Sequence, residues 1–142
     1  MRLRELVPAD TSAVRELLRA CRLPVDGVPD DAALVLVAEI EARVVGVVGL
    51  ELHGGDALLR SVAVSPEHRG GRVASRLCAQ VEERAAPLGA RRIFLLTETA
   101  EEFFARRGYA RLDRSLVPAG IAASREFSAI CPAAAVLMFR EL

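Results

Sequence analysis

Nineteen basic side chains are cancelled by nineteen acidic ones, so the chain lacks the net charge that would draw it to nucleic acid or an acidic membrane surface. Arginine supplies the positive side. No apolar run approaches the ~18 residues that a membrane-spanning helix needs. The longest lies around residues 32–38, so no membrane partner is expected. The first ten residues alternate charged and apolar side chains and lack a secretory signal's apolar centre, which predicts a cytoplasmic protein. Cysteine is scarce: Cys21, Cys78 and Cys131 are an odd number, with no second Cys or His at metal-ligand spacing. They read as reduced, packing thiols, and no metal is expected. Tyr109 is the one tyrosine, and His53 and His68 are the two histidines. Few side chains are therefore able to exchange a proton near neutrality.

What is present is an apolar content of 52% against 27% charged residues, the balance of a globular protein. A length of 142 residues buries a core without disulfides or metals and is too short for two catalytic domains, so residues 1–142 read as one domain. Residues 3–6 predict an opening strand. Asp10 is then expected to cap a helix whose Val14, Leu17, Leu18 and Cys21 share a face and which Pro24 closes. The Pro-, Gly- and Asp-rich stretch 24–31 reads as a loop. Three strands at 34–39, 44–53 and 57–64, joined by turns at 41–43 and 54–56, make an antiparallel meander.

Val73, Leu77, Val81 and Ala85 recur every four residues in an amphipathic helix over 72–86. The unbroken run Ile93, Phe94, Leu95, Leu96 predicts a strand covered on both faces and parallel to the strand before that helix. Thr99 with Glu102 forms a capping box for a short helix that Gly108 ends. Leu112 is extended, Pro118 starts a helix through Ile121, Arg125 and Phe127, and residues 135–140 close the chain as an apolar strand.

Residues 62–77 put a glycine-containing turn directly between a strand and a helix. The first amides of a helix have no intrahelical acceptor and lie at the positive end of its dipole, so glycines there let a pyrophosphate approach the backbone. Arg69, Arg72 and Arg76 add charge. The same pattern also suits a surface turn whose arginines keep it soluble.

Here Arg69-Gly70-Gly71-Arg72-Val73-Ala74 resembles the coenzyme-binding motif Gln/Arg-x-x-Gly-x-Gly/Ala of the GCN5-related N-acetyltransferase superfamily. It departs at Arg72, where the motif has glycine; Gly71 lies one residue early. The resemblance extends along nearly the whole chain in its order of elements, and residues 103–109 are similar to that family's Phe-Tyr-x-x-x-Gly-Phe element. More narrowly, segments 58–64, 97–104 and 124–132 resemble the small acetyltransferases associated with arsenic-resistance operons. The implied fold is an α/β (α+β) one: a mixed, mainly antiparallel sheet of six or seven strands, splayed centrally and flanked by helices.

The resemblance implies acetyl transfer from acetyl-CoA to the amine of a small acceptor, an amino acid or an amino-acid-like, arsenic-containing compound, by direct attack in a ternary complex. Backbone groups of Val62, Ala63 and Val64 would hold the pantetheine arm and the acetyl carbonyl, and the segment Arg69, Gly70, Gly71, Arg72, Val73, Ala74, Ser75 would take the pyrophosphate. Glu51, His53 and Glu98 are the base candidates, Glu51 first and Glu98 second. Arg60, Arg125 and Glu126 suit an acceptor carrying both carboxylate and ammonium, though a salt bridge between helix and sheet would use the same residues. Where many members have a tyrosine acid this chain has Phe104, and Tyr109 reads as packing. Together with Arg72, that keeps open an acyl-CoA-binding regulatory module without strong catalysis. An arsenical-binding partner protein using Cys131 is a third reading. Edge strands of such sheets pair readily, which predicts a homodimer.

Overall fold

Seven strands form one sheet in the computed structural model, which describes residues 1–25, 32–124, 127 and 135–142. They are β1 (Arg2–Glu5), β2 (Leu34–Ile40), β3 (Arg43–His53), β4 (Asp56–Val64), β5 (Arg92–Thr97), β6 (Ala110–Arg111) and β7 (Val136–Glu141), in the order β1-β2-β3-β4-β5-β7-β6. All neighbours are antiparallel except β4 and β5, which run parallel as expected for strands joined through a helix. The helices are α1 (Thr11–Ala20), α2 (Val73–Ala85), α3 (Glu101–Arg106) and α4 (Ala119–Ala122). No described helix is long and apolar enough to cross a membrane.

The sheet is covered on both faces because its strands alternate two apolar sets. Leu36, Val48, Leu50, Leu59, Ile93 and Met138 meet Val73, Leu77, Val81 and Ala85 of α2 on one face. Val35, Val37, Val47 and Ala63 meet Val14, Leu17 and Leu18 of α1 on the other, where Ile121 of α4 also packs on Leu58, Phe94 and Leu137. At Gly46 a β-carbon would lie 2.7 Å from Val73 Cγ1 and 3.0 Å from Leu77 Cδ1, so the start of α2 rests directly on the β3 backbone. That contact sets the height of the helix N-terminus above the sheet.

Three local expectations are corrected. Asp10 does not cap α1. It ends a single 3-10 turn, Pro8–Asp10, and accepts hydrogen bonds from Arg4 Nη1 (2.7 Å), Arg4 Nη2 (3.0 Å) and the Val7 amide (2.8 Å). The bidentate arginine outcompetes a single helix amide for the carboxylate. Helix α1 ends before Pro24: Arg22 takes φ +58°, its amide reaching the Arg19 carbonyl and that of Leu23 the Leu18 carbonyl. This is the paired bonding in which glycine usually supplies the left-handed residue. The predicted Thr99 and Glu102 capping box is also absent; α3 starts at Glu101, and Thr97 Oγ1 accepts from the Ala100 amide at 2.9 Å. The helix after Pro118 is described only as α4, and Arg125 lies outside the described residues.

The Arg4 hydrogen bonds hold the Asp10 carboxyl below its ordinary 3.8, helped by the Val7 amide and opposed by burial. A depressed folded-state value stabilises the fold above the unfolded one and loses that contribution as pH falls through the folded one. Asp10→Asn should therefore be less stable than the parent at neutral pH in urea unfolding, with the gap closing in acid below 3.8. A gap that is unchanged in acid would show that the charge of Asp10 contributes nothing.

Candidate active site

The parallel pair β4 and β5 is bonded at three positions only, Asp56 with Arg92, Ala57 with Ile93 and Leu58 with Phe94. Beyond them β5 continues along β7 while β4 continues along β3, and the two strands part. The gap opens into a cleft of about 860 Å³ lined by residues 58–64 of β4, residues 95–100 at the end of β5 and just beyond it, one side of α3, residues 21–23 after α1, and Arg69 and Ala74. Among the described residues the β4 backbone from residue 60 on has no ladder partner on this side, so its polar groups, apart from the Val64 carbonyl that Arg69 bonds, are available to a ligand in the cleft.

At the mouth of the gap β4 carries a bulge. Val47 pairs with Ala63 and Gly49 with Arg60, so Ser61 and Val62 together face Val48. Ser61 has φ +58°, a left-handed value that glycine ordinarily takes in bulges of this kind. The extra residue also restores Ala63 to the face of Leu58 and Arg60, under α1.

After β4, residues 65–72 make a 3-10 turn, Pro66–His68, then Gly70 at φ +83°, a conformation open to glycine, before α2 begins at Val73. The amide of Arg76 makes a helical bond to the Arg72 carbonyl, which leaves those of Val73, Ala74 and Ser75 ahead of the ladder. Arg69 turns back over the strand end, its Nε donating to the Val64 carbonyl at 3.1 Å and its Nη2 lying 3.3 Å from Cys21 Sγ. Among the arginines and glutamates that line the cleft, Arg22, Arg60, Arg69 and Arg106 outnumber Glu98 and Glu102, which favours an anionic ligand.

The predicted site residues fall into three groups. Glu51 and Arg60, on neighbouring strands of one face, form a buried ion pair, Arg60 Nη1 to Glu51 Oε2 at 2.6 Å, with side chains 4% and 1% exposed. The other Glu51 oxygen lies 2.9 Å from His53 Nε2, and Gly120 of α4 packs close to the His53 ring. Gly49, beside Arg60, leaves room for its side chain: a β-carbon there would stand 3.4 Å from Arg60 Cγ. Glu98 is separate from this group, exposed on the loop after β5 and part of the cleft wall. Arg125 and Glu126 lie outside the described residues.

Phe104 lines the cleft, in edge-to-face contact with Phe103 and Tyr109. Tyr109 is buried and donates to Glu82 Oε2 at 3.0 Å; burial, with the Glu82 charge, pushes its hydroxyl far above the usual tyrosine range. It is a packing residue on a fixed hydrogen bond. Cys78 lies on the buried face of α2 and burial pushes its thiol up to about 12, consistent with packing. No cluster of three or more metal-ligating side chains occurs among the described residues.

Sequence reasoning missed Ser61 and the end of α1, Cys21 to Leu23, which reach the cleft. Neither carries a local signal. Serine and arginine are not residues from which a left-handed φ is inferred, and the proximity of Cys21 to Val64, Sγ to carbonyl oxygen 3.7 Å, joins residues far apart in the chain.

This combination of a splayed parallel pair, a bulge at the split and a glycine turn into a helix agrees with comparison to known proteins. The acetyltransferase (GNAT) family profile matches residues 4–112, and the chain belongs to that family. It is 32% identical over 84 residues to an amino-acid acetyltransferase of Aeromonas salmonicida, a match covering 58% of this chain and 19% of the relative, so the chain spans about a fifth of that curated relative. N-acetylglutamate synthase from Neisseria gonorrhoeae, complexed with coenzyme A and N-acetyl-glutamate, superposes with a TM-score of 0.85 at 19% identity over 99% of this chain and 35% of its own. A Mycobacterium tuberculosis protein in complex with CoA gives 0.83 at 22% identity, over 100% of this chain and 99% of its own. These likenesses establish the same fold.

Proposed function

We propose that the protein is an acetyl-CoA-dependent N-acetyltransferase acting on the amine of a small, amino-acid-like acceptor. The observation that carries this reading is the cleft opened where β4 and β5 part, directly before a glycine turn whose helix presents free amides at Val73, Ala74 and Ser75. The amides and Arg69 would hold the pyrophosphate, and the edge of Val62, Ala63 and Val64 that β5 leaves open would bond the pantetheine arm once Arg69 leaves the Val64 carbonyl for the pyrophosphate. The family resemblance and the amino-acid acetyltransferase relative support the same assignment.

In the reaction the neutral amine attacks the thioester carbonyl carbon, the C–S bond breaks, and coenzyme A leaves as the thiolate, which takes through water the proton that the new amide nitrogen sheds. The ammonium must first lose a proton. Glu98, exposed on the cleft wall, takes it in this reading, while Glu51, with both oxygens engaged, holds Arg60 toward an acceptor carboxylate. Arg125 and Glu126 complete the acceptor site as the sequence pattern has it. The finer reading is a cytoplasmic homodimer acting on an amino acid or its arsenic-containing analogue. It rests on the resemblance of segments 58–64, 97–104 and 124–132 and on the edge strands of the sheet.

Thiol release from acetyl-CoA against a panel of amino acids tests the function, and Glu98→Gln is expected to lower kcat by about 100-fold. A loss under threefold would remove Glu98 from the role of base. One observation favours a second reading. Phe104 cannot donate a proton to the thiolate and the Tyr109 hydroxyl is committed to Glu82, so a binding module with little turnover fits the same cleft. Coenzyme binding without turnover on any amine would decide for it.

A further inference from the structure

We propose that the Ser61 hydroxyl donates a hydrogen bond to the thioester carbonyl oxygen of the bound acyl-coenzyme, stabilising the negative charge that develops there when the amine attacks. The inference rests on the reading of the cleft as an acyl-coenzyme site.

Ser61 is 6% exposed, lies on the cleft wall, and sits in the bulge where β4 leaves its parallel partner. Its Oγ receives a hydrogen bond from Arg60 Nε at 3.2 Å. A guanidinium only donates, so that contact occupies a lone pair and leaves the hydroxyl proton directed elsewhere. Among the described residues no acceptor for that proton is found, and a buried donor without an acceptor is costly unless a ligand supplies one. The neighbouring guanidinium also polarises the O–H bond, which makes it a better donor. The Arg60 side chain is itself anchored by Glu51, so the serine oxygen is held by a fixed partner.

The backbone points the same way. A serine at φ +58° is strained where glycine would be relaxed, and such strain persists where a side chain is needed. No covalent change occurs at Ser61: the C–O double bond opens toward a tetrahedral oxyanion, the hydroxyl keeps its proton, and the C–S bond breaks as the carbonyl re-forms.

Two variants separate the hydroxyl from the backbone. Ser61→Gly removes the hydroxyl and relieves the φ strain, so it should melt at or above the parent temperature; Ser61→Ala removes the hydroxyl and keeps the strain. The main readout is the infrared band of the thioester carbonyl of 13C-labelled acetyl-CoA bound to each protein, which needs no turnover. The band should lie below its free-solution position in the parent and move back toward it in both variants, while the affinity for coenzyme A itself stays within about twofold. With an acceptor amine, kcat should fall by about 100-fold with KM nearly unchanged. A carbonyl band at the parent position in Ser61→Gly would overturn the proposal alone. Failure of the parent to bind coenzyme A would overturn the reading of the cleft and this proposal with it.

Discussion

Arg60→Met is expected to lower the unfolding free energy by about 3–5 kcal/mol, the cost of leaving a buried carboxylate without its counter-charge. Glu51 is the carboxylate left behind. It is 4% exposed, and the Arg60 Nη1 bond at 2.6 Å is its contact with a fixed positive charge among the described residues. His53 at 2.9 Å carries a charge only when protonated. Since an ion pair repays its desolvation only while both members are present, the double variant Arg60→Met/Glu51→Leu should cost less than Arg60→Met alone. Urea unfolding of both variants checks this. Additive losses would show that the two side chains are held independently and that the pair is not the unit that matters.

The second large effect is expected at Glu82. Its Oε1 takes Arg107 Nη2 at 2.5 Å and Arg140 Nη1 at 3.4 Å, and its Oε2 takes Arg107 Nε at 3.2 Å and the Tyr109 hydroxyl at 3.0 Å. One carboxylate thus joins α2 to the turn after α3 and to β7. Arg107 also donates to Ser75 Oγ at 3.2 Å, in the first turn of α2 beside the amides assigned to the pyrophosphate. Glu82→Leu strands a buried phenol and a half-buried guanidinium, and should cost about 3 kcal/mol or more. Coenzyme affinity should fall with it, because the first turn of α2 loses its tether. Glu82→Gln keeps an acceptor for Tyr109 and should lie between. Unfolding by urea and coenzyme binding by calorimetry measure both effects; a loss below about 1 kcal/mol in Glu82→Leu would mean that the network is solvated.

Most of the element order was legible because it is written in periodicity. Val73, Leu77, Val81 and Ala85 mark α2 by spacing, and all four are buried in the structure. The run Ile93 to Leu96 marks a strand covered on both faces, with Ile93 and Leu95 under α2 and Phe94 beside α4. Gly108 was readable as a helix end because its φ of +93° is a glycine conformation. The misread ends were those where another group, or an unannounced backbone conformation, displaced the expected cap. Asp10 looks like a helix cap until Arg4 arrives with two N–H groups, and the Thr99 box yields to Thr97, whose hydroxyl meets the Ala100 amide first. Arg22 ends α1 in a left-handed conformation that its residue type does not announce.

The candidate site divides along the same line. The glycine turn before α2 and the strand that feeds it are local features, and local spacing is enough to propose an anion site at residues 69–75. Whether Glu51 stands free or paired is a question of register. The tight turn at residues 54–55 sets Asp56 opposite His53, and that register carries Arg60 opposite Gly49, where no side chain obstructs its reach to Glu51. The width of the cleft depends on where β4 and β5 stop pairing, and Ser61 gains its place on the wall from a φ that no serine predicts.

The sequence by itself determined the family, the order of strands and helices, and the glycine turn between β4 and α2, since each depends on side chains within a few residues of one another. Only the tertiary structure decided which carboxylate faces the cleft and which is locked to an arginine, and it alone exposed the hydroxyl beside that arginine. Those outcomes turn on how neighbouring strands pair and on one left-handed residue, neither of which the residue types announce.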